Sequence, residues 1–368
     1  MTTRSSRRKS GLSRTLTIVA LLLVAALWIV EEFTDLDLGL FEPDDPAPVV
    51  VARTATGDWY EIYFTVPQKE LTWTGGLDEI LAADIDRAQR SIDVAAYEFN
   101  LESVTSALIR AHRRGVRVRM VTDSDNVELD QPLDLIDAGI PVVEDGRSAI
   151  MHNKFVVIDG QITWTGSWNL TDNCTYRNNN NALRIISPEL AANYRAEFDE
   201  MFEEQQFGPR SPADTPYPVL RINETEIWTL FAPEDRVIDR VIEVVSGAQH
   251  SIRLMAFSFT DQALAAAMLA RAAEGVLVEG VFESRGSGTE YSQYGTLSDA
   301  GLRVWKDGNP AAMHHKVIII DRATVITGSF NFSASANQSN DENLLIIYDP
   351  AIAAEYLKEF DRVVAEAR

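Results

Sequence analysis

The sequence predicts an α/β protein of two related units, each a mixed, mostly parallel sheet flanked by helices, packed as a pseudo-twofold pair. Two observations predict it. The 368-residue chain repeats itself, with SIDVAAYEF at Ser91 answered by SIRLMAFSF at Ser251, and DAGI at Asp137 by DAGL at Asp299. Within each copy, short apolar runs alternate with amphipathic stretches, the pattern of strands covered by helices.

Taken in order, residues 1–14 carry Arg4, Arg7, Arg8, Lys9 and Arg14 with no acid, and residues 15–30 are uncharged and apolar before Glu31 and Glu32. A basic flank, an apolar run and an acidic exit predict an uncleaved membrane anchor with its N-terminus in the cytoplasm and the body outside it. Residues 31–58, with FEPDDPAPVV, read as a linker. The first repeat spans 59–207. In it YEIYF reads as a strand, LDEILAADIDRAQ as a helix, SIDVAAY as a strand and VTSALIRAHRRG as a helix ending at Gly115, followed by the strands VRVRMVT, FVVID and ITWTG. A connection over 208–223 leads to the second repeat, 224–368, which opens on EIWTLFAPED and closes on KEFD, the counterpart of AEFD at Ala196.

Composition narrows the partners. A net charge of −22, with the basic N-terminus already counted, argues against a broad nucleic-acid-binding face. The single cysteine, Cys174, excludes an intramolecular disulfide and a cysteine-based zinc cluster and is expected to have no special role.

The chemistry lies where the two copies agree best. MHNKFVVID, from Met151, and MHHKVIIID, from Met313, match at His152 and His314, at Lys154 and Lys316, and at Asp159 and Asp321. In an extended segment residues i and i+2 share a face, so each histidine points with its lysine, and His315 points the other way. Gly166-Ser167-Trp168-Asn169 and Gly328-Ser329-Phe330-Asn331 follow, and then Asn180 and Glu342. H-x-K-x4-D-x6-G-S-x-N, present twice at one spacing, resembles the phospholipase D superfamily over essentially the whole chain after the linker.

That resemblance implies a phosphodiesterase working in two steps through a phosphohistidine, with His152 as nucleophile and His314 as the acid that protonates the leaving alcohol and then activates water. Lys154 and Lys316 would hold the phosphoryl oxygens with Asn169 and Asn331, and Ser167, Ser329, Asn180 and Glu342 would bind phosphate or support the site. Asp159 and Asp321 belong to the catalytic motif, although as strand ends they read as support. Glu342 is expected to orient an imidazole, and Asn180 is the counterpart that departs from a carboxylate. No metal and no cofactor is required. Trp168 and Phe330 are expected in the core, His112 and His250 in solvent, and His315 at the pocket edge or exposed. The anchor and the acidic body favour a phospholipid cleaved at its distal phosphodiester bond, with both repeats forming one site in a monomer. The alternatives are an extracytoplasmic nuclease and a membrane-tethered protein that binds phosphorylated ligands without turnover. Glu283 and Glu290 are expected to receive an amine-bearing headgroup.

Overall fold

The computed structural model describes residues 51–67 and 73–368, so the expected anchor and most of the linker lie outside the described residues. Among the described residues no helix is long and apolar enough to cross a membrane. The first repeat supplies strands β1 (Val51–Thr56), β2 (Tyr60–Thr65), β3 (Ser91–Ala96), β4 (Arg117–Thr122), β5 (Val142–Glu144), β6 (Lys154–Ile158), β7 (Ile162–Gly166), the short β8 (Asn178–Asn179) and β9 (Asn181–Ile186). The second supplies β10 (Val219–Ile222), β11 (Thr225–Ala232), β12 (Ser251–Ala256), β13 (Leu277–Phe282), β14 (Arg303–Lys306), the short β15 (Ala312–Met313), β16 (Lys316–Ile320), β17 (Thr324–Gly328) and β18 (Glu342–Tyr348). Each repeat forms an eight-stranded sheet of the same order, β1-β2-β9-β7-β6-β3-β4-β5 and β10-β11-β18-β17-β16-β12-β13-β14.

The sheets are mixed, but the expectation of mostly parallel pairing is corrected. Only β3-β4-β5 and β12-β13-β14 run parallel, while the other described pairings of both sheets are antiparallel. Connection length explains this. Helices Glu102–Arg113 and Asp130–Asp137 carry the chain back for parallel pairing, whereas only Asp159, Gly160 and Gln161 separate β6 from β7. A link that short closes a hairpin and cannot make a crossover.

Alternation along the strands sorts the core. Phe155 and Val157 of β6, and Val317 and Ile319 of β16, face one shared core, with Leu190, Tyr194 and Phe198 of helix Pro188–Phe202 and Ile352, Tyr356 and Phe360 of helix Pro350–Glu366. Val156 and Ile158 face the opposite side, under helices Leu77–Arg87 and Glu102–Arg113. Ile318 and Ile320 likewise pack under helices Val237–Ser246 and Gln262–Ala273. Trp168 and Phe330 are buried in these outer cores, as the sequence predicts.

The pseudo-twofold relation appears as exchanged backbone contacts. Met151 bridges Asp341, and β15 pairs with β8 at Met313 and Asn179. The His152 N–H donates to the Asp341 carbonyl at 2.9 Å, and the His314 N–H donates to the Asn179 carbonyl at 2.9 Å. Each histidine is therefore fixed by the other repeat.

The glycine of each Gly-Ser-x-Asn segment has a steric cause. At Gly166 φ is +145°, and a Cβ there would stand 2.3 Å from the backbone oxygen of Asn181. Gly166→Ala should destabilise the fold by about 1–3 kcal/mol, read as a lower midpoint in thermal denaturation; an unchanged midpoint would contradict the close approach.

Candidate active site

His152 and His314 line one cleft of about 780 Å³, together with Asn169, Asn331, Tyr97 and Phe257. Strands β6 and β16 begin just after the histidines, so the two repeats deliver them as equivalents. Their supports are crossed between the repeats and unequal. His152 Nδ1 lies 2.7 Å from Glu342 Oε2, a carboxylate of the second repeat. His314 Nδ1 lies 2.9 Å from Asn180 Oδ1 and 3.0 Å from the Ser167 carbonyl, both in the first repeat. Both neighbours of His314 Nδ1 are acceptors, so that nitrogen carries hydrogen and Nε2 is left for chemistry.

Behind each carboxylate or amide stands a serine. Ser329 Oγ donates to Glu342 Oε2 at 2.7 Å, and Ser167 Oγ donates to Asn180 Oδ1 at 3.0 Å. Ser167 and Ser329 thus act as supports for the groups that hold the histidines. The lysines lie deeper, at 3% and 1% exposure for Lys154 and Lys316. Lys154 Nζ donates to the His152 carbonyl at 2.7 Å and Lys316 Nζ to the His314 carbonyl at 3.0 Å. An ammonium has three donors, so two remain on each lysine for an anion.

Burial dominates the electrostatics. It brings Lys154 down to about 8 and Lys316 well below its ordinary range, each lysine lying in reach of Glu342. It raises Glu342 to about 8, against the pull of Lys154 and the Ser329 hydroxyl. It also lowers the affinity of both imidazoles for a second proton, reinforced by the two ammoniums. Two buried lysines side by side suit a site for a phosphodiester anion.

Several cleft residues escape a motif-based reading. Tyr97 stands edge-on to His152, with ring centroids 5.0 Å apart, and Phe257 to His314 at 4.6 Å. Lys154 Nζ sits 5.2 Å from the Tyr97 ring centroid and Lys316 Nζ 4.6 Å from that of Phe257. The sequence signal was the aromatic ending each matched strand run, SIDVAAY and SIRLMAF. Glu98 also lines the cleft and accepts from Asn169 Nδ2 at 3.1 Å; the second repeat has Ser258 in its place.

Other expectations are corrected. Asp159 and Asp321 stand at the far ends of β6 and β16 from the histidines, a span of about 16 Å for five strand residues, and neither lines the cleft. Asp159 instead accepts the backbone N–H groups of Gln89, Arg90 and Ser91. Asp321 does the same for Gln249, His250 and Ser251. Partial burial would raise both carboxyls, but these N–H groups bring them below the ordinary range. They fix the turns that start β3 and β12. His315 is fully buried on the core face and pairs with Glu359 at 2.9 Å. Glu283 is also buried, its oxygens accept from Arg285 Nε at 2.8 Å and the Gly286 N–H at 2.7 Å, and it does not line the cleft of His152 and His314.

Residues 81–202 and 241–364 match the family described as "Cardiolipin synthase, PLD-like domain". The chain belongs to the phospholipase D superfamily. It is 32% identical over 144 residues to a protein named phospholipase D from Rickettsia bellii, covering 39% of this chain and 72% of that one. It is 37% identical over 132 residues to a mitochondrial cardiolipin hydrolase of Xenopus laevis, covering 36% of this chain and 63% of the relative. Phosphatidylserine synthase from Haemophilus influenzae shares the fold across 81% of this chain and 87% of its own, with a TM-score of 0.60 and 15% identity. The protein is a phosphodiesterase of the phospholipase D type, and the duplicated motif accounts for its two matched segments.

Proposed function

We propose that the protein hydrolyses the distal phosphodiester bond of a phospholipid through a phosphohistidine intermediate formed at one site within the monomer. The observation that carries this reading is the pairing of His152 and His314 in one cleft over two buried lysines with free donors. His152 Nε2 attacks phosphorus as its Nδ1–H is held by Glu342. The P–N bond forms as the P–O bond to the headgroup breaks, and His314 gives its Nε2 proton to the departing oxygen. Water then attacks phosphorus, His314 takes the water proton, and the P–N bond breaks to release a phosphatidate and free His152. Lys154, Lys316, Asn169 and Asn331 are assigned to the nonbridging oxygens, a role that calls on no metal.

The unequal supports favour this division of labour. A carboxylate on Nδ1 makes His152 the better nucleophile. Neutral acceptors on His314 Nδ1, in a buried setting, leave a protonated His314 the stronger acid. A lipid substrate is supported by the names of the two relatives, by the acidic body and by the apolar surface that Leu129, Ile150, Phe257 and Pro310 add to the cleft. In this reading residues 15–30 anchor the enzyme at a bilayer with its catalytic body outside the cytoplasm.

The test incubates the chain from Val50 onward, with EDTA present, in parallel with phospholipid vesicles of mixed headgroup and with single-stranded DNA. Headgroup release lost in His152→Ala is the expected result. DNA cleavage without headgroup release would replace the lipid reading by a nuclease.

A further inference from the structure

A second set of titratable groups lies behind the cleft, where the two repeats meet. Glu197 and Glu200, three residues apart on helix Pro188–Phe202, present their carboxylates to one side. Glu234, which follows β11 in the second repeat, faces them. One carboxylate oxygen from each of the three lies within 4.8 Å of the other two. Glu197 accepts from Asn153 Nδ2 at 3.0 Å. Glu200 is 6% exposed, and its Oε1 has no hydrogen-bond partner; neither has the buried Oε2 of Glu234. Among the described residues no arginine or lysine forms an ion pair with any of the three.

The symmetry-related position shows what is missing. There Glu359 replaces Glu197, His315 replaces Asn153, and Arg362 stands where the first repeat has Glu200. Arg362 grips Glu359 with two bonds, 2.6 and 2.8 Å, and His315 adds a third contact at 2.9 Å. The second repeat therefore supplies its own cation to the buried carboxylate. The first repeat puts a further carboxylate in the same place.

Buried carboxylates at this spacing are not stable together as anions without a positive charge among them. We propose that Glu197, Glu200 and Glu234 form a divalent-cation site of the calcium type that clasps the two repeats. Calcium takes oxygen ligands at about 2.3–2.6 Å in irregular geometry, so three carboxylate oxygens within 4.8 Å of one another can reach one ion; magnesium, at about 2.0–2.1 Å, demands near-ideal octahedral geometry. Water fills the remaining positions beside the half-buried Glu234. The ion has no part in phosphoryl transfer. Its structural reach is through Asn153, which follows His152 and also accepts from Asn343 Nδ2 of the second repeat at 2.8 Å.

The experiment uses the folded chain after chelation, titrated calorimetrically with calcium chloride and separately with magnesium chloride, alongside Glu200→Arg and Glu200→Gln. The wild type should bind one calcium ion, with at least about tenfold weaker binding of magnesium, and calcium should raise its melting temperature. Glu200→Arg imports the solution used by the second repeat; it should bind no calcium and melt at the same temperature with or without EDTA. Absence of calcium binding by the wild type at millimolar concentration would overturn the proposal, whatever the variants do. Undiminished binding by Glu200→Gln would overturn the ligand set, and equal affinity for magnesium would overturn the calcium assignment.

Discussion

His314→Ala should nearly abolish hydrolysis of alkyl phosphodiesters while leaving a p-nitrophenyl phosphodiester a usable substrate, and His152→Ala should abolish both. The two histidines occupy equivalent places, but only His152 has a carboxylate on Nδ1, and His314 has a side-chain amide and a backbone carbonyl. An acid that protonates a leaving alcohol is worth about 10²–10⁴-fold for a poor leaving group and little for p-nitrophenolate, which departs without a proton. Loss of the nucleophile admits no such rescue, because the P–N bond cannot form. Release of p-nitrophenol from bis(p-nitrophenyl) phosphate, compared with headgroup release from a phospholipid, separates the cases. In His314→Ala the first p-nitrophenol should appear as a burst, since the same residue is needed to activate water in the second step. Rescue of His152→Ala instead would exchange the two roles, and no rescue of either would remove the division between them.

Much of this arrangement is legible in the sequence because the chain is written twice. The repeat pairs His152 with His314 and Lys154 with Lys316, and period-two alternation places each histidine on the face of its lysine and turns His315 away. The structure bears this out down to the core residues Phe155, Val157, Val317 and Ile319 on the opposite face. Strand direction was less legible, because helices such as Glu102–Arg113 suggest crossovers throughout, while a three-residue link such as Asp159–Gln161 decides the direction of the strands around it. The place of the aspartates in the motif also misleads. Spacing of seven residues looks local in sequence, yet an extended strand carries Asp159 and Asp321 to the end of the strand opposite the histidines. The crossed supports lie beyond sequence patterns altogether. Glu342 reaches a histidine 190 positions away, and only packing of the two repeats brings them to 2.7 Å.

The symmetry of the fold and the asymmetry of its site have one physical source. Duplication supplies equivalent backbones, and single substitutions between the copies then set different tasks for them. Tyr97 against Phe257, Glu98 against Ser258 and Glu342 against Asn180 all fall at the cleft or directly behind it. Thr165–Asn343 and Thr327–Asn181, bonded at 2.7 and 2.9 Å, keep the interface beneath them alike. These three differences fall where charge and proton affinity matter.

Glu342→Gln should lower turnover by up to about 10⁴-fold with little change in fold, the size found when the carboxylate that orients a catalytic imidazole becomes an amide. Glutamine can still accept from His152 Nδ1, so the geometry has a means to survive; the negative charge that favours Nε2 as nucleophile does not. The pH profile distinguishes this from a packing defect. Burial holds Glu342 up at about 8 and Lys154 down at about 8. In the wild type, activity should rise with pH as Glu342 ionises and fall as the buried lysines and the His314 acid lose their protons, giving a narrow bell. Glu342→Gln should lose the rising limb and keep the falling one. Asn180→Asp acts in the opposite direction on the partner: a carboxylate on His314 makes it a weaker acid, so alkyl substrates should slow while p-nitrophenyl substrates do not. A Glu342→Gln enzyme with wild-type turnover, or with its rising limb intact, would mean that the 2.7 Å contact positions His152 without tuning it.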